Sequence, residues 1–318
     1  MALRCAILDD YQNVALKLAD WGAIRDRVDV TVFDKPLASA AEVIGALQDF
    51  EIVCAMRERT PFPGDVLSKL PKLKLLLTSG MRNASFDLAT AKARDITVCG
   101  TGTVGNPTAG LTIGLMLELT RRIGFESARM KAGESWQVTV GQDVEGKRLG
   151  IIGLGKLGTR VATIAKALGM QVQAWSTNLT QATCDAAGVA YATKEELFAT
   201  SDIITLHTVL SERSRGLVGR DDLARMKPTS YLINTSRGPL VDEAALLALL
   251  QQRRIAGAAL DTFSQEPLPV DHPLRKLDNV LLTPHLGYVT EENYRRYYQD
   301  MVEDIAAWLK GAPMRVMS

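Results

Sequence analysis

Short apolar runs alternate with helix-spaced patterns along the whole chain. In the first hundred residues the runs are Leu3–Leu8, Val28–Phe33, Glu51–Met56, Leu73–Thr78 and Ile96–Cys99. A second series begins at Leu149 and continues with Gln171–Trp175, Asp202–His207, Tyr231–Thr235, Ala256–Leu260 and Val280–Thr283. Strands that alternate with helices predict parallel sheets with helices on both faces, and two such series predict two α/β units. Between them lies the breaker-rich segment Gly100-Thr-Gly-Thr-Val-Gly105-Asn-Pro107, read as a linker.

After the linker, Thr108 to Met130 reads as one long helix, with Leu111, Leu115, Leu119 and Ile123 at near-helical spacing. Apolar on several faces, it could bury part of itself in a partner subunit or simply pack on the second sheet. A final helix, Glu291 to Lys310, follows the last strand and is expected to pack back onto the first unit. The chain would then cross twice between two units, with a cleft between them able to open and close.

Composition narrows the function. With 318 residues, 47% hydrophobic and 23% charged, the chain can bury a large core. A formal net charge of +1 and no long run of like charge lack the footprint of a nucleic-acid binder. No apolar segment approaches a membrane span, and the first twenty residues turn acidic too early for a secretory signal. Cys5, Cys54, Cys99 and Cys184 lie far apart in mostly apolar runs, which predicts buried reduced thiols. No metal is expected. A soluble cytoplasmic protein follows.

The sharpest motif is RLGIIGLGKLGTRVATIAKALGMQVQAWS at 148–176. An apolar run ends in Gly153-x-Gly155-x-x-Gly158, a helical pattern follows, Gly169 closes it, and a second strand begins near Val172. In that context Gly153 permits the tight turn, Gly155 lets backbone approach a pyrophosphate, and Gly158 allows close helix–strand packing. The helix N-terminus offers N–H groups and partial positive charge to phosphates. A dinucleotide is the expected ligand.

Ligands of open parallel sheets gather beyond the carboxyl ends of the strands. In the second half, Arg237 follows Tyr231–Thr235, Glu266 follows Ala256–Leu260, and His285 follows Val280–Thr283. Hydride exchange with a 2-keto acid needs such a set. A guanidinium can fork onto a carboxylate or polarise a carbonyl. An imidazolium can donate a proton and its neutral form can accept one. A nearby carboxylate would orient the ring and favour its charged form. Of the other two histidines, His207 closes a strand and reads as packed or supporting, and His272 as a loop residue.

These residues resemble the signature of the D-isomer-specific 2-hydroxyacid dehydrogenase family. The resemblance runs through LHTVLSERSRGLVG at 206–219, MKPTSYLINTSRGPLVDEAAL at 226–246, AGAALDTFSQEPLP at 256–269 and NVLLTPHLGYVT at 279–290. It implies a flavodoxin-like substrate domain from 1–103 and 291–318, a Rossmann cofactor domain at 104–290, and a homodimer built on the 108–131 helix region. It assigns substrate binding and carbonyl polarisation to Arg237, acid–base catalysis to His285 and support of that ring to Glu266. Expected cofactor contacts are Gly153, Gly155, Lys156, Leu157 and Gly158, with His207, Thr208, Thr235, Ser236 and Gly287 at other strand ends. Asp261 matches the family residue at the nicotinamide end. MRERTPF at 56–62 and TSGMRNASFD at 78–87 resemble substrate loops, the latter holding a carboxylate on the N–H groups of Ser79, Gly80 and Met81. Arg57, Arg59 or Arg82 could read a second polar group there, or pair with local acids such as Glu58 and Asp87.

Two departures matter. Gly110 stands where many members carry Glu, and Ser176, followed by Thr177 and Asn178, stands where NAD-preferring members carry an acid. An acid there would bind the ribose 2′-OH and repel a 2′-phosphate. Its absence favours NADP over NAD, although no Arg follows directly and Lys156 or Arg160 would have to help. The expected activity is NAD(P)-dependent reduction of a small 2-keto acid or oxidation of a D-2-hydroxy acid. An NAD(H)-sensing, corepressor-like scaffold with vestigial catalysis is the alternative.

Overall fold

The computed structural model describes residues 2–317. The chain divides into two compact units, one running to Gly105 and resuming at Thr290, the other spanning Asn106–Val289.

The first unit holds five parallel strands, β1 (Leu3–Ile7), β2 (Val28–Val32), β3 (Ile52–Ala55), β4 (Leu75–Thr78) and β5 (Thr97–Gly100), in the order β2-β1-β3-β4-β5. The inner strands β3 and β4 are buried at every position, which is why they read as continuous apolar runs. The helix Glu291–Leu309 belongs to this unit, burying Tyr294, Tyr297, Tyr298 and Met301. Residues 315–317 return along β5, where Arg315 and Met317 exchange backbone hydrogen bonds with Gly100 and Val98.

Arg315 fastens that tail. Its Nε donates to Asp304 Oδ1 at 3.0 Å, and Asp300 and Glu303 also lie within ion-pair distance. Burial dominates the Asp304 carboxyl and, with the charges of Asp300 and Glu303, outweighs Arg315, so its pKa is pushed up to about 6. A carboxyl raised by folding favours the protonated form in the native state. Its contribution to stability is therefore complete below about pH 4 and lost as pH rises through about 6. Asp304→Asn is expected to flatten that decline, by on the order of 1–2 kcal/mol between pH 4 and pH 7. Urea unfolding of both proteins at the two pH values checks this; parallel stability curves would refute it.

The second unit holds seven parallel strands, β6 (Arg148–Ile152), β7 (Gln171–Trp175), β8 (Ala190–Tyr191), β9 (Ile203–Leu206), β10 (Tyr231–Asn234), β11 (Gly257–Leu260) and β12 (Val280–Leu282). Their order is β12-β11-β10-β9-β6-β7-β8, so connections leave β6 in opposite directions on its two sides. Side chains alternate between two cores. Ile151, Ile203, Ile233 and Ala259 face one, and Ile152, Ile204, Leu232 and Ala258 the other. Truncating one of the larger of these side chains would cost about 2–5 kcal/mol. The two-residue β8 is too short for any periodicity to announce it.

The single helix expected over 108–130 is two helices, Pro107–Arg121 and Ile123–Lys131. Arg122 breaks them apart with a left-handed φ of 51°. The Glu118 carboxylate explains the break, because both its oxygens accept from the Gly124 N–H, at 3.0 and 2.8 Å. It thereby caps the second helix, and the Arg122 guanidinium settles 4.2 Å over the Phe125 ring. All four cysteines are free and buried. Among the described residues no helix is long and apolar enough to cross a membrane.

Candidate active site

Three neighbouring strands of the larger sheet deliver the chemistry. β10 ends at Asn234, whose side chain holds the turn that follows: its Oδ1 accepts from Ser236 N and its Nδ2 donates to Arg237 O. Arg237 Nη1 donates to Ser236 O at 2.7 Å, fixing the guanidinium near its own backbone. Gly238 then packs so closely that a Cβ there would lie 2.1 Å from the Phe263 carbonyl carbon. Only glycine brings the loop after β10 against the loop after β11.

From that second loop, Glu266 reaches the histidine after β12. Glu266 Oε2 lies 2.7 Å from His285 Nδ1, while its Oε1 accepts from Phe263 N at 2.9 Å. Burial opposes ionisation of Glu266, but the His285 hydrogen bond and charge, the Phe263 N–H and the Arg237 charge outweigh it and hold the carboxyl below its ordinary value. An ionised Glu266 accepts a hydrogen bond from the Nδ1–H and leaves Nε2 as the ring nitrogen that can exchange a proton. His285 itself sits at φ 54°, a left-handed conformation that costs energy in a non-glycine residue.

Asp261 sustains that conformation. Fully buried, its Oδ1 accepts from Thr283 Oγ1 at 2.6 Å and Leu286 N at 2.7 Å, and its Oδ2 from Gly287 N at 2.9 Å. Burial nevertheless raises its carboxyl pKa. Asp261 thus organises the histidine loop, a role visible only once the loop is folded.

The dinucleotide motif lies where β6 changes its direction of connection, the crevice in which open α/β sheets bind ligands. Gly153 has φ 98°, and a Cβ there would stand 2.8 Å from His207 O and from Thr208 Oγ1. A Cβ on Gly158 would lie 2.1 Å from Gly153 O, but one on Gly155 would meet nothing within 4 Å. The helix Lys156–Ala167 begins there with no side-chain cap and no acid in its first turn. That open, uncapped N-terminus suits a pyrophosphate. Beside it, both ring nitrogens of His207 are buried without a partner among the described residues. Burial lowers the His207 pKa to about 4, so the ring is neutral. An orphaned donor and acceptor at this crevice fit a bound cofactor. Around them the hydroxyls are committed internally: Thr208 to Ile152 O, Thr235 to Thr112, and Ser236 to Leu206 O.

Residues 113–287 match the model of the D-isomer specific 2-hydroxyacid dehydrogenase NAD binding domain. The chain belongs to the D-isomer specific 2-hydroxyacid dehydrogenase family. A hydroxypyruvate reductase of Blautia hydrogenotrophica is 31% identical, covering 99% of this chain and 100% of that protein. A glyoxylate reductase of Korarchaeum cryptofilum is 35% identical, covering 79% of this chain and 77% of its own. The structure of a phosphoglycerate oxidoreductase from Vibrio cholerae superimposes with a TM-score of 0.92 at 35% identity, over 98% of this chain and 100% of that one. The protein is therefore a nicotinamide-dependent oxidoreductase of D-2-hydroxy acids.

In this family member the loops that resemble substrate loops lie at the carboxyl ends of β3 and β4, in the first unit. Arg57 is held in a left-handed turn, φ 54°, by hydrogen bonds from its N–H to Ser79 Oγ and from Asn83 Nδ2 to its carbonyl. Its Nη1 donates to Ser79 O and packs where a Cβ on Gly80 would stand, and its Nε lies 3.8 Å from Glu58. The expected carboxylate nest is smaller than the sequence suggests. Ser79 N already donates to Ala55 O, and Gly80 N to Thr101 Oγ1. Among the described residues the Met81 N–H has no such commitment. Arg59 donates to Asp9 O and stacks 4.7 Å over Tyr11, whereas Arg82 is exposed. Asp87 pairs with neither, since it caps the helix Leu88–Ala93.

Asn234, Gly238 and Thr283 also build the site, beyond the residues that the motifs single out. The signal for Asn234 and Gly238 is the tight run Asn234-Thr-Ser-Arg-Gly-Pro239, where an amide and a glycine flank the arginine; nothing comparable marks Thr283.

Proposed function

We propose that the protein reduces a small 2-keto acid to the D-2-hydroxy acid, and catalyses the reverse, with NADPH preferred. The His285–Glu266 pair, 2.7 Å apart and one strand from Arg237, carries this reading. Reduced nicotinamide, when bound, supplies the hydride. Arg237 forks onto the substrate carboxylate and polarises the carbonyl; His285 Nε2 gives its proton to the carbonyl oxygen. Glu266 keeps the ring oriented and stabilises its charge. In oxidation the neutral ring takes the hydroxyl proton. Reduction should therefore fade as pH rises and oxidation as it falls.

The Gly153–Gly158 turn would hold the pyrophosphate, and His207 would partner the cofactor with its unpaired ring nitrogens. Ser176, Thr177 and Asn178 support the NADP reading. Leu179 N donates to Ser176 O, closing a turn after β7 that carries hydroxyls and an amide but no acid to repel a 2′-phosphate. Glyoxylate and hydroxypyruvate, on which the relatives are named, are the first substrates to try. Arg57 and the Met81 N–H are proposed to bind the substrate from the first unit, which we assign as the substrate domain. The helix Ile123–Lys131 buries no side chain, and Ile123, Met130, Trp136 and Val140 are exposed. This apolar stretch supports a homodimer.

Absorbance of the reduced nicotinamide, with NADPH and NADH offered separately against glyoxylate, hydroxypyruvate and pyruvate, tests the proposal. Oxidation of the coenzyme, faster with NADPH, is expected. Ser176→Asp is expected to reverse the preference by roughly 10-fold or more. A wild-type preference for NADH would overturn the coenzyme reading alone. Tight coenzyme binding with no turnover of any keto acid would overturn the reaction.

A further inference from the structure

The loop carrying His285 is pinned from two sides. Asp261 takes the N–H groups of Leu286 and Gly287. On the other side of the same glycine, the Gly287 carbonyl accepts from Thr108 Oγ1 at 2.8 Å. The seat is tight, because a Cβ on Gly287 would lie 3.1 Å from Thr108 Oγ1 and 3.2 Å from Asp261 Oδ2. Thr108 stands in the first turn of the helix Pro107–Arg121. One turn further on, Thr112 Oγ1 donates to Thr108 O at 2.8 Å and lies 2.9 Å from Thr235 Oγ1. Thr235 immediately precedes the turn that presents Arg237.

We propose that Thr108 is a positioning residue for His285, and that with Thr112 it braces the His285 loop against the Arg237 loop. The inference rests on the acid–base reading of His285. Its physical basis is the left-handed backbone at His285, which persists only while its neighbours over-determine it. Asp261 supplies the donor-side constraint and Thr108 the acceptor-side one. Without the Thr108 hydroxyl, Gly287 O loses its partner and the easiest relief is rotation of the Gly287–Tyr288 peptide, two residues beyond the histidine in the same loop. The ring would then drift from Glu266, and small misplacements of an acid–base group are costly in rate. The charged groups around the ring are Glu266, Asp261 and, through Glu266, Arg237; Tyr288 meets it edge-on at 5.3 Å.

The test uses Thr108→Val, which keeps the shape and removes the hydroxyl, and Thr108→Ser, which restores it. For Thr108→Val we expect kcat for keto acid reduction to fall roughly 10- to 100-fold. Coenzyme Kd, read by nucleotide fluorescence, should stay within about twofold, and Thr108→Ser should recover most of the rate. The readout independent of turnover is the NMR signal of the proton in the His285 Nδ1–Glu266 hydrogen bond. That signal should move upfield or broaden in Thr108→Val, as the ring loses its alignment with Glu266, and return in Thr108→Ser. An unmoved hydrogen-bond signal and unchanged kcat in Thr108→Val would overturn the brace. Equal damage in both variants, with weakened coenzyme binding, would overturn it in favour of plain packing. If the wild type turns over no keto acid yet the hydrogen-bond signal still moves in Thr108→Val, the brace stands and the proposed reaction falls.

Discussion

Replacing His285 with alanine is expected to lower turnover by roughly 10³-fold while leaving coenzyme affinity near its original value. The argument starts from the bond between Nδ1 and Glu266 Oε2. That bond fixes the tautomer, and neither of the other two imidazoles stands in the same setting. Of the remaining two, His207 is kept neutral by burial and His272 caps the short helical turn Pro273–Lys276. Neither can stand in. Coenzyme binding is spared because the Gly153–Gly158 turn lies on the far side of β9 and β10 from β12. Glu266→Gln is the graded companion. It keeps a hydrogen-bond acceptor but removes the charge, so turnover should fall less than in the Ala variant, since the ring keeps its orientation and loses only its counter-charge. Steady-state rates across pH 5–9 with a coenzyme-binding titration decide the matter. An Ala variant with near-normal turnover would sink the assignment.

Arg237→Ala should cost about as much, with a different signature. A planar guanidinium offers two parallel donors to a carboxylate and remains charged at every working pH. Truncating a charged partner at a recognition site costs about 2–5 kcal/mol, so kcat/KM should drop roughly 10²- to 10³-fold, with KM rising as well as kcat falling. Arg237→Lys should recover less than about a tenth of the loss, because a point charge cannot reproduce the fork. The Asn234 and Gly238 contacts keep the loop in place in either variant, so Tm should barely change. A Lys variant as fast as the original would show that charge alone suffices and that no bidentate contact exists.

Much of the fold was legible in the chain. Eleven apolar runs marked strands to within about two residues, because strands buried in parallel sheets are apolar on both faces. The glycine fingerprint was legible for a related reason. Gly153 needs a positive φ and Gly158 leaves no room for a Cβ, so the residue type itself reports the geometry. What escaped was whatever a distant side chain decides. The periodicity Leu111, Leu115, Leu119, Ile123 runs on through Arg122, yet Glu118 reaches around to cap Gly124 and the helix stops. The Ser79-Gly80-Met81 loop looked like three free donors until Ala55 and Thr101 claimed two of them.

By itself, then, the amino-acid order determined the two parallel sheets, the dinucleotide turn and an arginine, a glutamate and a histidine after three strands. Each depends on local dihedral freedom or on the burial of a short run. The tertiary structure alone decided how those three side chains are held. Glu266 meets His285 across 19 positions, Asp261 gathers the loop from 25 and 26 residues away, and Thr108 reaches Gly287 across 179. Hydrogen bonds at such separations leave no periodicity in the chain, because their geometry exists only after the sheets have brought the partners together.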